Sequence, residues 1–306
     1  PPLFFSGLMM GLAIASKWTG IYAGAGLAVL FFWTLARTMR RGYSCSKLTQ
    51  KELDALGDDA PAAKLLGKSW LNKSITICLW CLLFFVAVPA VIYYLSYIPV
   101  FISTPGGLTV RKVINSSVGM FNYHSAKGLG ADHFFSSPWY EWPLIAKPMY
   151  YYAGGVVNGT ASTILSFGNP LVWWGGLLAL VLVAILAASQ AVSHDGFVHV
   201  PEDLRRDRRP VMLLIAFAAQ YLPWILVPRG TYIYHYFPSV PFIILCITLL
   251  VSYLMPRKER IAKALTIVLP LIALILFIAF FPYLSGVRVP TAWLDAMKWF
   301  PNWLYY

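Results

Sequence analysis

Charge is scarce in this sequence: 12% of its 306 residues are Asp, Glu, Lys or Arg, against 59% that are hydrophobic. So little charge excludes an ordinary soluble domain, in which about a quarter of the residues are charged. With a mean hydropathy of +0.66, the chain reads as a polytopic membrane protein. Acidic side chains are scarcer still, 12 against 24 Lys and Arg, for a net charge of +12. That excess would suit a nucleic-acid partner if it formed a basic face. Instead Lys and Arg cluster in short stretches between apolar runs, so the charge is topological and no nucleic acid is expected. Cysteine is limited to four residues. Cys78 and Cys81 form a C-x-x-C inside an apolar run, with no second pair and no His at ligand spacing. This argues against a structural zinc and leaves them as lipid-facing or packed helix residues. The chain starts Pro1-Pro2 with no Met, charged n-region or cleavable signal, so it is expected to begin partway through a longer protein.

What the sequence has in quantity is apolar runs of membrane-spanning length. The first, residues 4–36, is too long for one helix across a ~30 Å core and is interrupted by Lys17-Trp18; it is expected to be two helices joined by a turn at residues 16–19. Five more runs follow, at 74–97, 171–189, 211–227, 240–255 and 264–284, making seven spans. Eight Lys or Arg lie in 37–73, four in 205–209 and four in 257–263, which places these three stretches in the cytoplasm by the positive-inside rule. Counting crossings then puts Lys17, the long loop 98–170, the hairpin 228–238 and the tail 285–306 together on the opposite face. Residues 42–68 are expected to form a short solvated helix or flexible connector. Two regions follow, 1–97 with three spans and 98–306 with the long loop and four spans.

The expected outer face is rich in aromatic and ionisable residues. Val110, Val113, Ile114, Val118 and Phe121 recur at helical spacing with Arg111, Lys112, Asn115 and Ser116 opposite, the pattern of a helix lying in the membrane interface. His124, Asp132 and His133 follow, then a segment that packs eight aromatic residues around Glu141 and Lys147 between positions 133 and 152. An aromatic belt at the interface explains single Trp and Tyr residues. It explains less well Glu141 inside W-Y-E-W-P or Arg229 beside Tyr232, Tyr234, His235 and Tyr236, because ionisable groups near bilayer depth are costly unless they pair or serve a site. Lys17, Arg229 and Arg288 sit where spans meet this face and would stabilise a lipid phosphate, a leaving group that gains charge. Snorkelling to the interface is the simpler account of Arg288 and Lys298. His124 and His133 with Asp132 are a weak metal pattern, and no obligatory metal is expected. The pairs Gly7/Gly11 and Gly20/Gly24 point to close helix packing. Asn72, Asn115 and Asn158 begin sequons that carry no argument alone.

Four strings occur in order along nearly the whole chain: G-L-A-I-A-S-K-W-T-G at 11–20, S-S-P-W-Y-E-W-P-L-I-A-K-P-M-Y-Y-Y at 136–152, Y-H-Y-F-P-S-V-P-F at 234–242 and F-P-Y-L-S-G at 281–286. In these the chain resembles the protein O-mannosyltransferase family. The resemblance implies an all-α polytopic membrane protein with a GT-C-like transmembrane helix bundle, about seven spans here, and one long outer loop. It further implies an inverting transfer of mannose from a polyprenyl-phosphate carrier to Ser or Thr of a protein acceptor on the non-cytosolic face, with membrane lipids as surroundings and no obligatory cofactor besides the lipid-linked donor. The family's eleven-span pattern ends outside, so these seven spans correspond to its last seven. Its Asp-Glu pair, taken to supply the base, lies in a first outer loop that no stretch of this chain matches. The isolated chain is therefore expected to be inactive, and the base role is not transferred to Asp132 or Glu141. A loop of about 73 residues is too short for the eukaryotic MIR module, which implies a bacterial-type member in the plasma membrane.

On this reading Lys17, Arg229, His235 and Tyr236 contact the donor phosphate or lipid, while Trp139, Glu141, Trp142, His124 and His133 belong to the loop over the sugar and acceptor. A transporter or flippase would place ionisable residues in mid-span and break its helices at the bilayer centre. Here nearly every charge lies at a span end. A non-catalytic scaffold or truncated product is the remaining alternative.

Overall fold

The computed structural model describes residues 2–193 and 200–303. The last residues of the tail expected at 285–306 lie outside this range. Two compact units divide the chain, Pro1–Met120 and Phe121–Tyr306.

In the first unit the long apolar run is two helices, α1 (Pro2–Ser16) and α2 (Gly20–Ser46). They separate at the Lys17-Trp18 interruption, where the Gly20 and Ile21 amides donate to the carbonyls of Lys17 and Trp18 at 2.9 and 3.0 Å. α3 (Gln50–Ala55) starts on a capping box in which Thr49 and Glu52 bond each other's backbone amides. α4 (Ala60–Leu82) then passes through a π turn at Leu83–Ala87 into α5 (Val88–Leu95) and the short α6 (Ile98–Phe101).

Residues 42–68, expected as a connector, are mainly the ends of α2 and α4 with α3 between them. The two long helices stay packed past their apolar runs because Gly42 leaves room for the Trp70 ring and Gly67 lies against the backbone at Cys45 and Ser46. The pairs flagged for close packing behave as such: any side chain at Gly7 or Gly11 would meet Phe84, Pro89 or Ile92, and Gly20 and Gly24 lie against Ala13, Ile14 and Met10.

α7 (Val110–Ser125) crosses the division between the units, which falls later than the boundary at 97/98 expected from span ends. The reason is local. Lys112 Nζ donates to Thr104 Oγ1 and to the carbonyls of Pro105 and Gly107 at 2.7–3.0 Å, and Ser117 Oγ meets Tyr93 OH at 2.9 Å, so the first half of α7 is tied to the preceding span. Val113 is buried on that side, while Val110, Ile114, Val118 and Phe121 form an exposed stripe.

The second unit opens with the long loop, which contains short strands that the all-helical expectation did not include. β1 (Met149–Ala153) pairs antiparallel with β3 (Thr163–Ser166) around a bulge between Tyr150 and Tyr152, and β2 (Thr160–Ala161) pairs with β4 (Val289–Pro290) from the tail. Four apolar helices follow. α8 (Gly176–Val192) enters through a π turn at Leu171–Gly175. After α9 (Glu202–Arg205), α10 (Arg209–Tyr221) runs on as a 3₁₀ turn, Leu222–Leu226. A second 3₁₀ segment, Ile233–Ser239, leads into α11 (Val240–Leu254), and α12 (Glu259–Ser285) precedes the short α13 (Thr291–Met297). α8, α10 and α11 pack on one another around Ala179, Val183, Cys246 and Leu249, and α12 lies against α11 and β3.

Among the described residues six helices are long and apolar enough to cross a membrane, and Pro2–Ser16 is a shorter apolar helix. The expected segregation of segments is visible in the second unit. Asp203 pairs with Arg257 at 2.8 Å, and Asp207 accepts from Arg209 and from Tyr253 OH at 2.7 Å each, joining the two basic stretches at one end. The hairpin, the aromatic segment and the tail meet at the other, where Trp303 Nε1 donates to the Ile145 carbonyl at 2.7 Å and the Gly128 amide to the Pro228 carbonyl at 3.1 Å.

Candidate functional site

Backbone pairing brings the aromatic segment and the hairpin together. The Gly230 amide donates to the Leu129 carbonyl at 2.9 Å, the Ser137 amide to the Thr231 carbonyl at 2.8 Å, and Thr231 Oγ1 to the Ser137 carbonyl at 2.9 Å. Residue 230 must be glycine for this approach, since a Cβ there would collide with the carbonyl of Gly130. Between the two strands of backbone lies a depression of about 410 Å³ lined by Ser136, Ser137, Trp139, Trp224, Arg229 and Thr231.

Arg229 is half-buried at its edge, and the described residues place no hydrogen-bonded or ion-paired group on its guanidinium. His124, at the end of α7, lies close enough to feel that charge. Partial desolvation first, and the positive Arg229 second, hold its imidazole below the usual histidine range. With the imidazole pushed toward its neutral form, Arg229 brings a positive charge to the edge of a depression lined by hydroxyls, suited to a hydroxyl-bearing ligand with an anionic group.

The W-Y-E-W-P stretch is a 3₁₀ turn, Trp139–Leu144, with Pro143 inside it and Ile145 in the left-handed region at φ 54°. A branched residue held there costs about 1–3 kcal/mol unless its surroundings dictate it. They do, because side chains from three other parts of the unit claim the turn's carbonyls. Tyr221 OH donates to Trp139 O at 2.8 Å, Trp173 Nε1 to Trp142 O at 3.1 Å, Trp174 Nε1 to Leu144 O at 3.2 Å and Trp303 Nε1 to Ile145 O.

Trp142 itself is 1% exposed. Its ring stacks on His235 and meets Trp224 and Tyr221 edge-on, and its Nε1 donates to Ser137. His235 and Tyr236 are equally enclosed; His235 Nδ1 accepts the Tyr232 amide at 3.1 Å. These three expected contact residues therefore occupy the interior behind the depression. Trp139, Glu141 and Arg229 are half-buried, and His124 and His133 are exposed, His133 lying edge-on to Tyr232 at 5.4 Å.

Lys17 is exposed at the α1–α2 turn of the other unit. Among the described residues no three His, Cys, Asp or Glu side chains gather as a metal site would need. Ser136, Ser137, Thr231 and Trp224 were not singled out from the sequence. Serine and threonine next to Pro138 and Arg229 read as turn residues until the pairing of the two loops is seen.

Residues 109–303 match the family described as the C-terminal four-transmembrane region of protein O-mannosyltransferase. The polyprenol-phosphate-mannose–protein mannosyltransferase of Corynebacterium glutamicum is 26% identical over 98% of this chain, and that of Mycobacterium tuberculosis 24% over 98%. The chain spans 57% of the length of each of these relatives. Dolichyl-phosphate-mannose–protein mannosyltransferase 1 of Saccharomyces cerevisiae is 23% identical over 64% of the chain and 24% of its own length. Among solved structures, the S. cerevisiae protein O-mannosyltransferase Pmt1-Pmt2 complex bound to the sugar donor shares the fold with a TM-score of 0.54, at 20% identity, over 66% of this chain and 28% of that one.

Proposed function

The chain belongs to the protein O-mannosyltransferase family, and from that premise we propose that it moves a mannosyl group from polyprenyl-phosphate mannose to a Ser or Thr hydroxyl of a protein acceptor, as part of an integral membrane enzyme of the bacterial plasma membrane working on the extracytoplasmic face. The observation that carries this reading is Arg229: a half-buried cation at the edge of a hydroxyl-lined depression, on the end of the bundle opposite the basic stretches.

The reaction is a single displacement. A carboxylate takes the acceptor hydroxyl's proton, the oxygen attacks the anomeric carbon, and the bond to phosphate breaks with its electron pair leaving on the lipid phosphate, so configuration inverts. Arg229 meets the charge that the phosphate gains, a preorganised electrostatic contribution that needs no metal. His235, Tyr236 and Trp142 act from behind, shaping the wall that holds the hairpin. Trp139 and Glu141 face the sugar and acceptor, with His124 and His133 on the rim. The base is neither Asp132 nor Glu141 in this reading; the family's Asp-Glu pair has that role.

Arg229→Ala tests the assignment in membranes carrying the intact protein. Transfer of labelled mannose from polyprenyl-phosphate mannose should fall by about 10²-fold or more, the usual effect of removing one such charge-stabilising group. Turnover within twofold of the parent would remove Arg229 from the site.

A further inference from the structure

The end of the second unit that carries two basic stretches is latched by its own acidic residues. Asp203 accepts from Arg257, and Asp207 from Arg209 and Tyr253 OH, while Gln190 Nε2 donates to the carbonyls of Leu204 and Asp207 at 2.5 and 3.1 Å. Glu202 faces Arg205 and Arg206 at 3.6 and 3.3 Å, and Glu259 faces Lys263 at 2.5 Å. These are all the acidic residues between positions 201 and 263, so every carboxylate of this stretch is engaged. Arg208, Lys258 and Arg260 are left exposed, with no ion pair or side-chain hydrogen bond among the described residues. Arg208 follows Asp207 and Lys258 follows Arg257, so the latch itself brings these uncompensated cations to one end of the bundle.

Apolar surface begins directly beneath them. Met212 lies four residues after Arg208 along α10 and Ile267 seven after Arg260 along α12, spacings that put each pair on one helix face. Met212 is 47% and Ile267 69% exposed, and both belong to helices long and apolar enough to cross a membrane. Cations above bare apolar side chains match the depth profile of a bilayer, with charge at the phosphate layer and hydrocarbon below it. A free anion would use the charges and gain nothing from Met212 and Ile267. A zwitterionic headgroup brings its own cation. A lipid with a net negative headgroup satisfies both parts.

We propose that this end of the second unit is a binding surface for an anionic glycerophospholipid, whose phosphate meets Arg208, Lys258 and Arg260 and whose chains run along Met212 and Ile267. The latch keeps the neighbouring carboxylates on Arg209, Arg257 and the other paired cations, so that they do not compete with the lipid. On the sidedness expected from the Lys and Arg distribution, the lipid belongs to the cytoplasmic leaflet.

The test titrates the intact protein, purified in dodecylmaltoside, with phosphatidylglycerol and with phosphatidylcholine of the same chains, and counts bound lipid by native mass spectrometry. Each cation at a charged headgroup is worth about a factor of five, so phosphatidylglycerol should bind about 10²-fold tighter than phosphatidylcholine. Arg208→Gln should weaken the tightest phosphatidylglycerol about fivefold, and Arg208→Gln/Lys258→Gln/Arg260→Gln should bring it to the level of phosphatidylcholine. Arg40→Gln/Arg41→Gln/Lys64→Gln removes the same charge from the first unit and should leave that affinity within twofold. Equal affinity for the two lipids, an unchanged affinity in the Arg208 triple variant, or an equal loss in the first-unit variant overturns the proposal. Displacement of phosphatidylglycerol by millimolar inorganic phosphate also overturns it, since that is the behaviour of an anion site with no place for the chains.

Discussion

Trp142 and Glu141 are neighbours in one five-residue stretch and do different work. The Trp142 ring fills a space between His235, Trp224 and Tyr221, and its carbonyl accepts the Trp173 indole. Trp142→Ala should therefore cost about 3–5 kcal/mol, read as a lower Tm of the detergent-solubilised protein and poor accumulation. Glu141 is half-buried, and the described residues give its carboxylate no hydrogen-bonded or ion-paired partner. Glu141→Gln should leave the Tm unchanged and lower mannosyl transfer about tenfold, as expected if the carboxylate holds a substrate hydroxyl. A drop in Tm with activity intact would reassign it to the scaffold.

His124 titrates with a definite sign. Its folded pKa lies below the ordinary value of 6.5, with desolvation as the larger cause and Arg229 as the smaller. The unfolded chain therefore binds more protons as pH drops past that value, and the folded state loses stability toward acid. His124→Asn should flatten the Tm difference between about pH 7.5 and 5.5 relative to the parent. An unchanged slope would mean that the imidazole is not held neutral.

Between elements, close approach decides more than hydrophobicity. α8 and α11 are both apolar around much of their circumference, and what sets their spacing is Gly176, where an added Cβ would lie 2.7–2.9 Å from atoms of Ile243. Gly176→Val should cost about 1–3 kcal/mol by overpacking, visible as a lowered Tm in detergent, and the partner change Ile243→Ala should recover part of it. No sequence pattern marked this glycine, because Gly175-Gly176 follows two Trp at the entry to the span and has no second glycine four residues on. The short strands were equally hidden: β1 is three tyrosines between Met149 and Ala153, which reads as interfacial aromatics until its partner Thr163–Ser166 is beside it. By contrast, the break at Lys17-Trp18 and the extent of α7 were legible, since a charge inside an apolar run and a 3.6-residue period are local signals.

For the molecule as a whole, the asymmetry of its 24 Lys and Arg predicts sidedness. Single cysteines in an otherwise cysteine-free protein test it: Asp58→Cys should be shielded from a membrane-impermeant maleimide in intact cells, and Lys127→Cys should be labelled. The reverse pattern would turn the bundle over and move the proposed site to the cytoplasmic face.

The series of apolar helices, the turn at Lys17 and the separation of basic stretches from the aromatic end follow from the sequence alone, because span length, charge cost and period are properties of consecutive residues. Which aromatic residues are wall and which are surface was decided only by the tertiary structure. Trp, Tyr and His pack, cap and bind with the same groups, so W-Y-E-W-P looks alike in either role. The indoles that pin it come from positions as far as 158 residues away, and contacts of that span are made by the fold rather than by any local pattern.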